Sequence, residues 1–89
     1  MVMSEAFSLD FPCELPIKVL GRNDDRFRTA AWAIVRNHYG ELDAGRVSEQ
    51  PSSKSSYLSV TFVVPAQSRD EVDALYRDLT ASDDIMLVL

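Results

Sequence analysis

Residues 57–79, YLSVTFVVPAQSRDEVDALYRDL, contain the patterns that decide the fold class. The first eight, residues 57–64, are rich in β-branched and aromatic side chains, and their alternation predicts a strand with one uniformly apolar face. Pro65 is expected to end this strand. Ser68 and Glu71 then match a capping box, in which each side chain accepts a hydrogen bond from the other's backbone N–H. The apolar stripe that follows predicts a helix over residues 69–81.

The residues before this stretch show the same order of a strand followed by a helix. Leu15, Ile17 and Val19 have the period of two that predicts a strand ending at Gly21. Residues 23–25 supply side-chain oxygens and negative charge suited to a helix N-terminus, and an apolar stripe closed by Gly40 predicts a helix over residues 24–39. Residues 46–50 are compatible with a short polar strand, and residues 85–89 with a short apolar one.

The predicted order is therefore β-α-β-β-α-β. Each β-α-β crossover must be right-handed, which places both helices on one face of the sheet. We predict an α+β fold, a ferredoxin-like βαββαβ two-layer plait with a four-stranded antiparallel sheet. Residues 11–89 form the single domain of this prediction, and residues 1–10 a flexible N-terminal lead-in.

The charge balance argues against polyanionic partners. Fourteen acidic and nine basic residues give a net charge of −5, which disfavours nucleic acid and an anionic membrane surface. The single cysteine, Cys13, allows no disulfide within the chain, which fits a reducing compartment. There is no signal-peptide pattern and no apolar run of about 18 residues, so we expect a cytoplasmic protein with no membrane span.

Several segments together carry a family resemblance. They are Phe11-Pro12, residues 17–21 (IKVLG), residues 51–54 (PSSK) with Tyr57 and Ser59-Val60, and the final Leu87-Val88-Leu89. Over residues 10–89 the chain resembles the YbeD family of small bacterial proteins. That resemblance implies a ferredoxin-like fold, similar to the ACT regulatory domains, and implies no known activity. The family usually places glycine after the lysine of the PSSK segment, where this chain has Ser55.

Residues 51–57 are the first candidate site. The hydroxyl and N–H groups of Ser52 and Ser53 beside Lys54 could hold a phosphate or a carboxylate. The alternative is a solvated hairpin connection, because proline and serine are good turn formers.

The second candidate is the junction at residues 20–24. In ACT domains the loop between the first strand and the first helix lies beside the effector site, so the resemblance implies this place for Gly21 and Asn23. The alternative is a plain helix cap, which the aspartates favour.

The third candidate is the face of the sheet that carries no helix. Its predicted members combine a cation, hydroxyls and exposed apolar groups: Lys18, Tyr57, Ser59, Thr61, Val63, Met86 and Val88. Such a surface often mediates association. The alternative is an open sheet that tolerates scattered apolar side chains.

Catalytic patterns are scarce in the sequence. One histidine and one cysteine give no metal-ligand or thiol spacing, and no glycine-rich phosphate loop occurs, so we expect no enzyme, no cofactor and no metal site. An acylphosphatase-like enzyme is the less favoured alternative: Arg22 is suitably placed, but the glycine-rich loop and the strand asparagine are missing.

An RRM-like binder of single-stranded RNA is the better motivated alternative, because the RRM has the same strand order. Tyr57 and Phe62 are five residues apart, however, and fall on opposite faces, which leaves only Tyr57 to stack on a base.

The remaining class is a regulatory or protein-interaction module of ACT-like fold. Such a module would act through a partner protein or a small metabolite that the sequence does not identify. ACT-like units commonly pair through strand edges or helices, so a homodimer is part of this hypothesis.

Overall fold

A computed structural model describes residues 10–89, in which a four-stranded antiparallel sheet has the order β2-β3-β1-β4. The elements are β1 (Cys13–Arg22), α1 (Asp25–Tyr39), a 3₁₀ turn (Ala44–Arg46), β2 (Val47–Pro51), β3 (Tyr57–Ala66), α2 (Arg69–Ala81) and β4 (Leu87–Val88). This arrangement confirms the predicted α+β ferredoxin-like plait. The predicted lead-in, residues 1–10, lies outside the described residues except for Asp10. Neither helix of the described part is long and apolar enough to cross a membrane.

The central pair of strands defines the two faces of the sheet. β1 and β3 pair over ten residues, from Cys13 opposite Ala66 to Arg22 opposite Tyr57. Odd-numbered residues of β1 and even-numbered residues of β3 therefore share the face that both helices cover. The core between sheet and helices contains Ile17, Val19, Leu58, Val60, Phe62, Val64 and Ala66 from the strands, Phe27, Ala31 and Val35 from α1, Val72, Leu75 and Leu79 from α2, and Ile85.

Both helices begin at side-chain caps, as their sequences predicted. The Asp24 carboxylate accepts a hydrogen bond from the Phe27 N–H at 2.9 Å, and the Ser68 hydroxyl accepts one from the Glu71 N–H at 3.2 Å. The second half of the predicted capping box differs. The Glu71 carboxylate accepts from the N–H of Gln67, one residue earlier than expected, at 2.9 Å.

β3 continues through Pro65, where the sequence predicted an end. β2 covers β3 only as far as Val47 opposite Phe62. The carbonyl of Val63 points toward the β2 side of the strand, where it accepts a hydrogen bond from the Arg46 guanidinium at 3.1 Å. The backbone nitrogen of Pro65, two residues later, points to the same side, beyond the end of β2. Because no strand needs the missing N–H there, proline does not interrupt the pairing of β3 with β1.

The register of β4 corrects the predicted membership of the helix-free face. Val88 lies opposite the buried Val19 and packs against the core, whereas Leu87 lies opposite Leu20 on the other face. Val88 is therefore wrongly placed by the sequence prediction. The error arises because the sequence of the loop before β4 does not reveal whether the odd- or the even-numbered residues of β4 face the helices.

The connection from β2 to β3 is a closed turn with one left-handed residue. The Ser52 N–H donates to the Tyr57 carbonyl at 2.9 Å, and the Ser52 hydroxyl accepts from the Tyr57 N–H at 3.1 Å. Within the turn the Ser55 N–H donates to the Ser52 carbonyl at 2.8 Å, and Ser55 has φ = 59°. This is the backbone region that glycine adopts at least cost. Ser55 thus keeps a glycine-like geometry at the position where the resemblance noted above implies glycine.

Gly21 is explained by packing. A Cβ atom at this position would lie 2.2 Å from Cδ1 of Phe27, whose ring is 1% exposed. The Phe27 ring therefore lies directly on the backbone of β1, and only a residue without a side chain allows this approach.

We expect Gly21→Ala to lower the free energy of unfolding by about 1–3 kcal/mol, because the new methyl group must displace the Phe27 ring from the core. Urea denaturation followed by circular dichroism would measure the change. Gly45→Ala is the matched control, since a Cβ atom at Gly45 meets nothing within 4 Å. Equal stability of the two variants would contradict the packing explanation.

Ser55→Gly should raise the free energy of unfolding by about 0.5–1 kcal/mol, because glycine adopts the left-handed conformation without steric cost. Ser53→Gly, in the same turn but without a positive φ, should be neutral or slightly destabilising. Thermal denaturation of both variants beside the wild type provides the measurement. A gain from Ser53→Gly that equals the gain from Ser55→Gly would refute the conformational argument.

Candidate functional site

A depression on the side of the sheet opposite the helices, here called the open face, brings together four of the nine predicted site residues. Lys18, Ser52, Tyr57 and Ser59 line an open depression of about 340 Å³. Leu20, Gln50, Pro51 and Leu89 complete its lining. The depression therefore draws on β1, β2, β3 and the C-terminal segment, which are distant in sequence and meet only in the folded sheet.

Thr61 lies on the same face, directly opposite Lys18 in the β1–β3 ladder. Lys18 also exchanges backbone hydrogen bonds with Leu89, at 2.8 and 3.3 Å, so it lies in a row between Thr61 and Leu89. Ser59 is 6% exposed, and its hydroxyl donates to the Gln50 carbonyl at 3.3 Å. Thr61 and Lys18 are accessible at the centre of the face, whereas Ser59 is part of its floor.

The open face also carries exposed apolar side chains. Tyr57, Leu87 and Leu89 are 43%, 49% and 60% exposed, and Met86 is the other large exposed hydrophobic residue of the described chain. Leu87 and Leu89 were missed by the sequence prediction, because only the register of β4 puts their parity on this face. Leu20 was missed although its signal was present: it is two residues from Lys18 in a strand of period two.

The turn residues divide into structural and exposed groups. The backbone and hydroxyl of Ser52 hold the turn closed through Tyr57, so Ser52 has a structural role as well as a place in the depression. Ser53 and Lys54 are exposed at the tip of the turn. Among the three residues predicted to hold a phosphate or a carboxylate, Ser53 and Lys54 are therefore the exposed ones. They lie in the turn that adjoins the open face.

Gly21 and Asn23 lie apart from this depression. Gly21 faces the helices beneath Phe27. The Asn23 amide donates to the Ser55 carbonyl at 3.1 Å, and its Oδ1 accepts from the Arg28 guanidinium at 3.0 Å. The Asn23 N–H also donates to the Ser56 carbonyl at 3.1 Å. Asn23 thereby fastens the β2–β3 turn to the start of α1.

Within the described chain, ion pairing engages some of the arginines and neither lysine. Four of the seven arginines pair with carboxylates of the described chain: Arg26 with Asp84, Arg28 with Asp25 and Glu49, Arg36 with Glu41, and Arg46 with Glu14. The chain has two lysines, Lys18 and Lys54, and within residues 10–89 neither forms an ion pair. Both belong to the open face or its rim.

Arg22 is the last residue of β1 and, like Lys18, has an even number in this strand, but its environment is different. It lines a small pocket of about 180 Å³ together with Asp24, Asp83 and Asp84. Arg26 lines the same pocket and pairs with Asp84, so three carboxylates face two guanidinium groups and disfavour a phosphate group at that place.

Two tyrosines have perturbed pKa values, and both contact the helical layer. Burial, followed by the neighbouring Glu71 carboxylate, raises the pKa of Tyr39, whose hydroxyl is buried without a hydrogen-bond partner in the described structure. Burial also raises the pKa of Tyr76, whose hydroxyl donates to the Leu89 carbonyl at 3.1 Å. Both hydroxyls keep their protons at neutral pH.

Among residues 10–89 no three His, Cys, Asp or Glu side chains converge as a metal site would require.

Comparison with known proteins finds a family and many relatives. The family described as "Protein of unknown function (DUF493)" matches residues 7–89. A UPF0250 protein of Paraburkholderia phymatum is 40% identical over 81 residues, which cover 91% of each chain. A UPF0250 protein of Hahella chejuensis is 36% identical over 85 residues, covering 96% of this chain and 93% of the relative. One from Neisseria meningitidis is 33% identical over 81 residues, covering 91% and 89%.

These matches extend over nearly the whole chain, and they confirm the resemblance to the YbeD family that the PSSK segment and the strand sequences indicated. They assign no ligand, partner or reaction. The chain therefore belongs to the bacterial DUF493 family, whose members are named UPF0250 proteins.

Proposed function

We propose that this protein is a non-catalytic, regulatory interaction module that binds a partner protein through the open face of its sheet. The observation that carries the proposal is the coincidence, on one uncovered face, of exposed Tyr57, Leu87 and Leu89 with the accessible Lys18. Apolar groups exposed together beside polar ones are typical of association surfaces. The single cysteine is consistent with a role in the cytoplasm.

A partner protein suits this face better than a small metabolite does. Small-molecule sites usually enclose most of the ligand surface, whereas the depression beside Lys18 is open along the sheet. An ACT-like effector site at residues 20–24 is less favoured, because Gly21 packs against Phe27 and the polar groups of Asn23 are engaged by the β2–β3 turn and Arg28.

The two alternatives from sequence have less support from the same geometry. An RRM-like binder needs several stacking aromatics on the open face, but Tyr57 is accessible there while Phe62 is fully buried on the other face. An acylphosphatase-like enzyme would use Arg22 to bind phosphate, but Arg22 lies among three aspartates. Binding without turnover is the function that the exposed side chains favour.

We expect Thr61→Glu to weaken partner binding about tenfold or more, because a carboxylate in the middle of the interface would be desolvated against apolar groups. A native pull-down from bacterial lysate, with stoichiometry measured by mass spectrometry, tests this against the wild type. Thr29→Glu is the matched control, since Thr29 is an exposed threonine on α1. Leu87→Glu, at the sheet edge, is a second variant with little effect on the core.

The proposal is supported if a stoichiometric protein is retained by the wild type and by Thr29→Glu, and is lost with both open-face variants at unchanged melting temperature. A partner that is lost only with Thr29→Glu would move the interface to the helical layer. If no protein is retained and a metabolite raises the melting temperature instead, the small-ligand alternative replaces the partner protein.

A further inference from the structure

We infer that the partner of the open face presents an acidic segment in which carboxylates alternate with apolar side chains. The inference deepens the proposed function, on which it rests, by naming the chemistry of the occupant. Two observations lead to it: the distribution of charge between the faces and the apolar neighbours of Lys18.

The charge of the open face is opposite to that of the whole chain. The net charge is −5, yet in the four strands Glu14 is the one acidic residue at an open-face position, and it is paired with Arg46. Glu49, the other acidic strand residue, lies opposite the buried Val60 on the covered face and pairs with Arg28. Carboxylates are otherwise concentrated on the helices and their connecting loops. Within residues 10–89, neither Lys18 on the open face nor Lys54 in the adjoining β2–β3 turn forms an ion pair.

Lys18 is surrounded by groups that strengthen its attraction to an anion once water leaves. Leu89 is its neighbour across the strand pair and Leu20 follows it on the same face. A carboxylate that docks against this lysine would lie in an apolar, poorly hydrated setting, where an ion pair is stronger than at a free surface. The same contact would cover Leu20, Leu87 and Leu89, so a suitable partner carries apolar side chains between its acidic ones.

The geometry argues against a second copy of this chain as the occupant. Face-to-face pairing of two copies would bring each Lys18 and Lys54 toward the lysines of the other copy, and like charges oppose association. A peptide segment of opposite charge avoids this repulsion.

A selection from a random peptide library displayed on phage, with the full chain as bait, tests the inference without presupposing a sequence. The expected peptides are enriched in Asp and Glu and contain Leu, Ile, Phe or Tyr. Titration of a synthetic enriched peptide into ¹⁵N-labelled protein should shift the amides of β1, β3 and β4 on the open face. Its affinity should fall steadily as ionic strength rises from about 0.05 to 0.5 M.

Charge reversal supplies the decisive comparison. Lys18→Glu should weaken binding of that peptide about fivefold or more, and Lys54→Glu about threefold, as expected for partly exposed ion pairs. Arg77→Glu, which reverses an exposed cation on α2, is the matched control and should leave the affinity within twofold. Thermal denaturation verifies that all three variants are folded.

The outcomes separate this inference from the proposed function. Peptides that bind the open face but are neutral or basic, or that bind both lysine variants as well as the wild type, overturn the acidic partner and leave the interaction surface standing. Peptides that bind the helical layer, or a selection without enrichment, overturn both. Concentration-dependent dimerisation in sedimentation, with shifts of open-face amides, would replace the acidic partner by a second copy.

Discussion

The ten-residue ladder between β1 and β3 is the constraint on which the rest of this structure depends. It fixes the parity of both strands together, so that Ile17 and Val19 join Val60 and Phe62 under the helices while Lys18 joins Thr61 outside. A shift of one residue would exchange the two sets and expose the core. β2 and β4 are shorter and add to an arrangement that the central pair has already set.

Close packing on the covered side has consequences for the loops around the open face. The Phe27 ring lies on the backbone of Gly21, which brings the start of α1 tightly against the end of β1. From this position Asn23 reaches the carbonyl of Ser55, and Arg28 joins Asn23 to Glu49 of β2. The β2–β3 turn is therefore anchored to the helical layer, and Lys54 projects from a turn whose backbone is held on both sides. Such anchoring would reduce the entropy lost in the proposed binding of a partner at the rim of the open face.

The division of charge follows the same two-layer plan. Four arginines, on α1 and just before β2, pair with nearby carboxylates, whereas Lys18 on the open face and Lys54 in the β2–β3 turn form no ion pair within residues 10–89. These exposed ion pairs contribute little to stability. Because the paired arginines are neutralised, the positive potential at the open face comes mainly from the lysines. The matching family is described as one of unknown function, so the proposed binding rests on the residues of the open face alone.

The sequence by itself determined the type and order of the elements, the N-terminal caps of both helices, and the covered faces of β1 and β3. These are local properties, because side-chain periods of 2 and 3.6 residues and cap hydrogen bonds involve residues close in the chain. The tertiary structure alone decided the register of β4, which puts Leu87 on the open face in place of Val88. It also decided the continuation of β3 through Pro65 and the packing of Phe27 on Gly21. Each of these depends on pairing or packing between residues far apart in sequence, which no local pattern specifies.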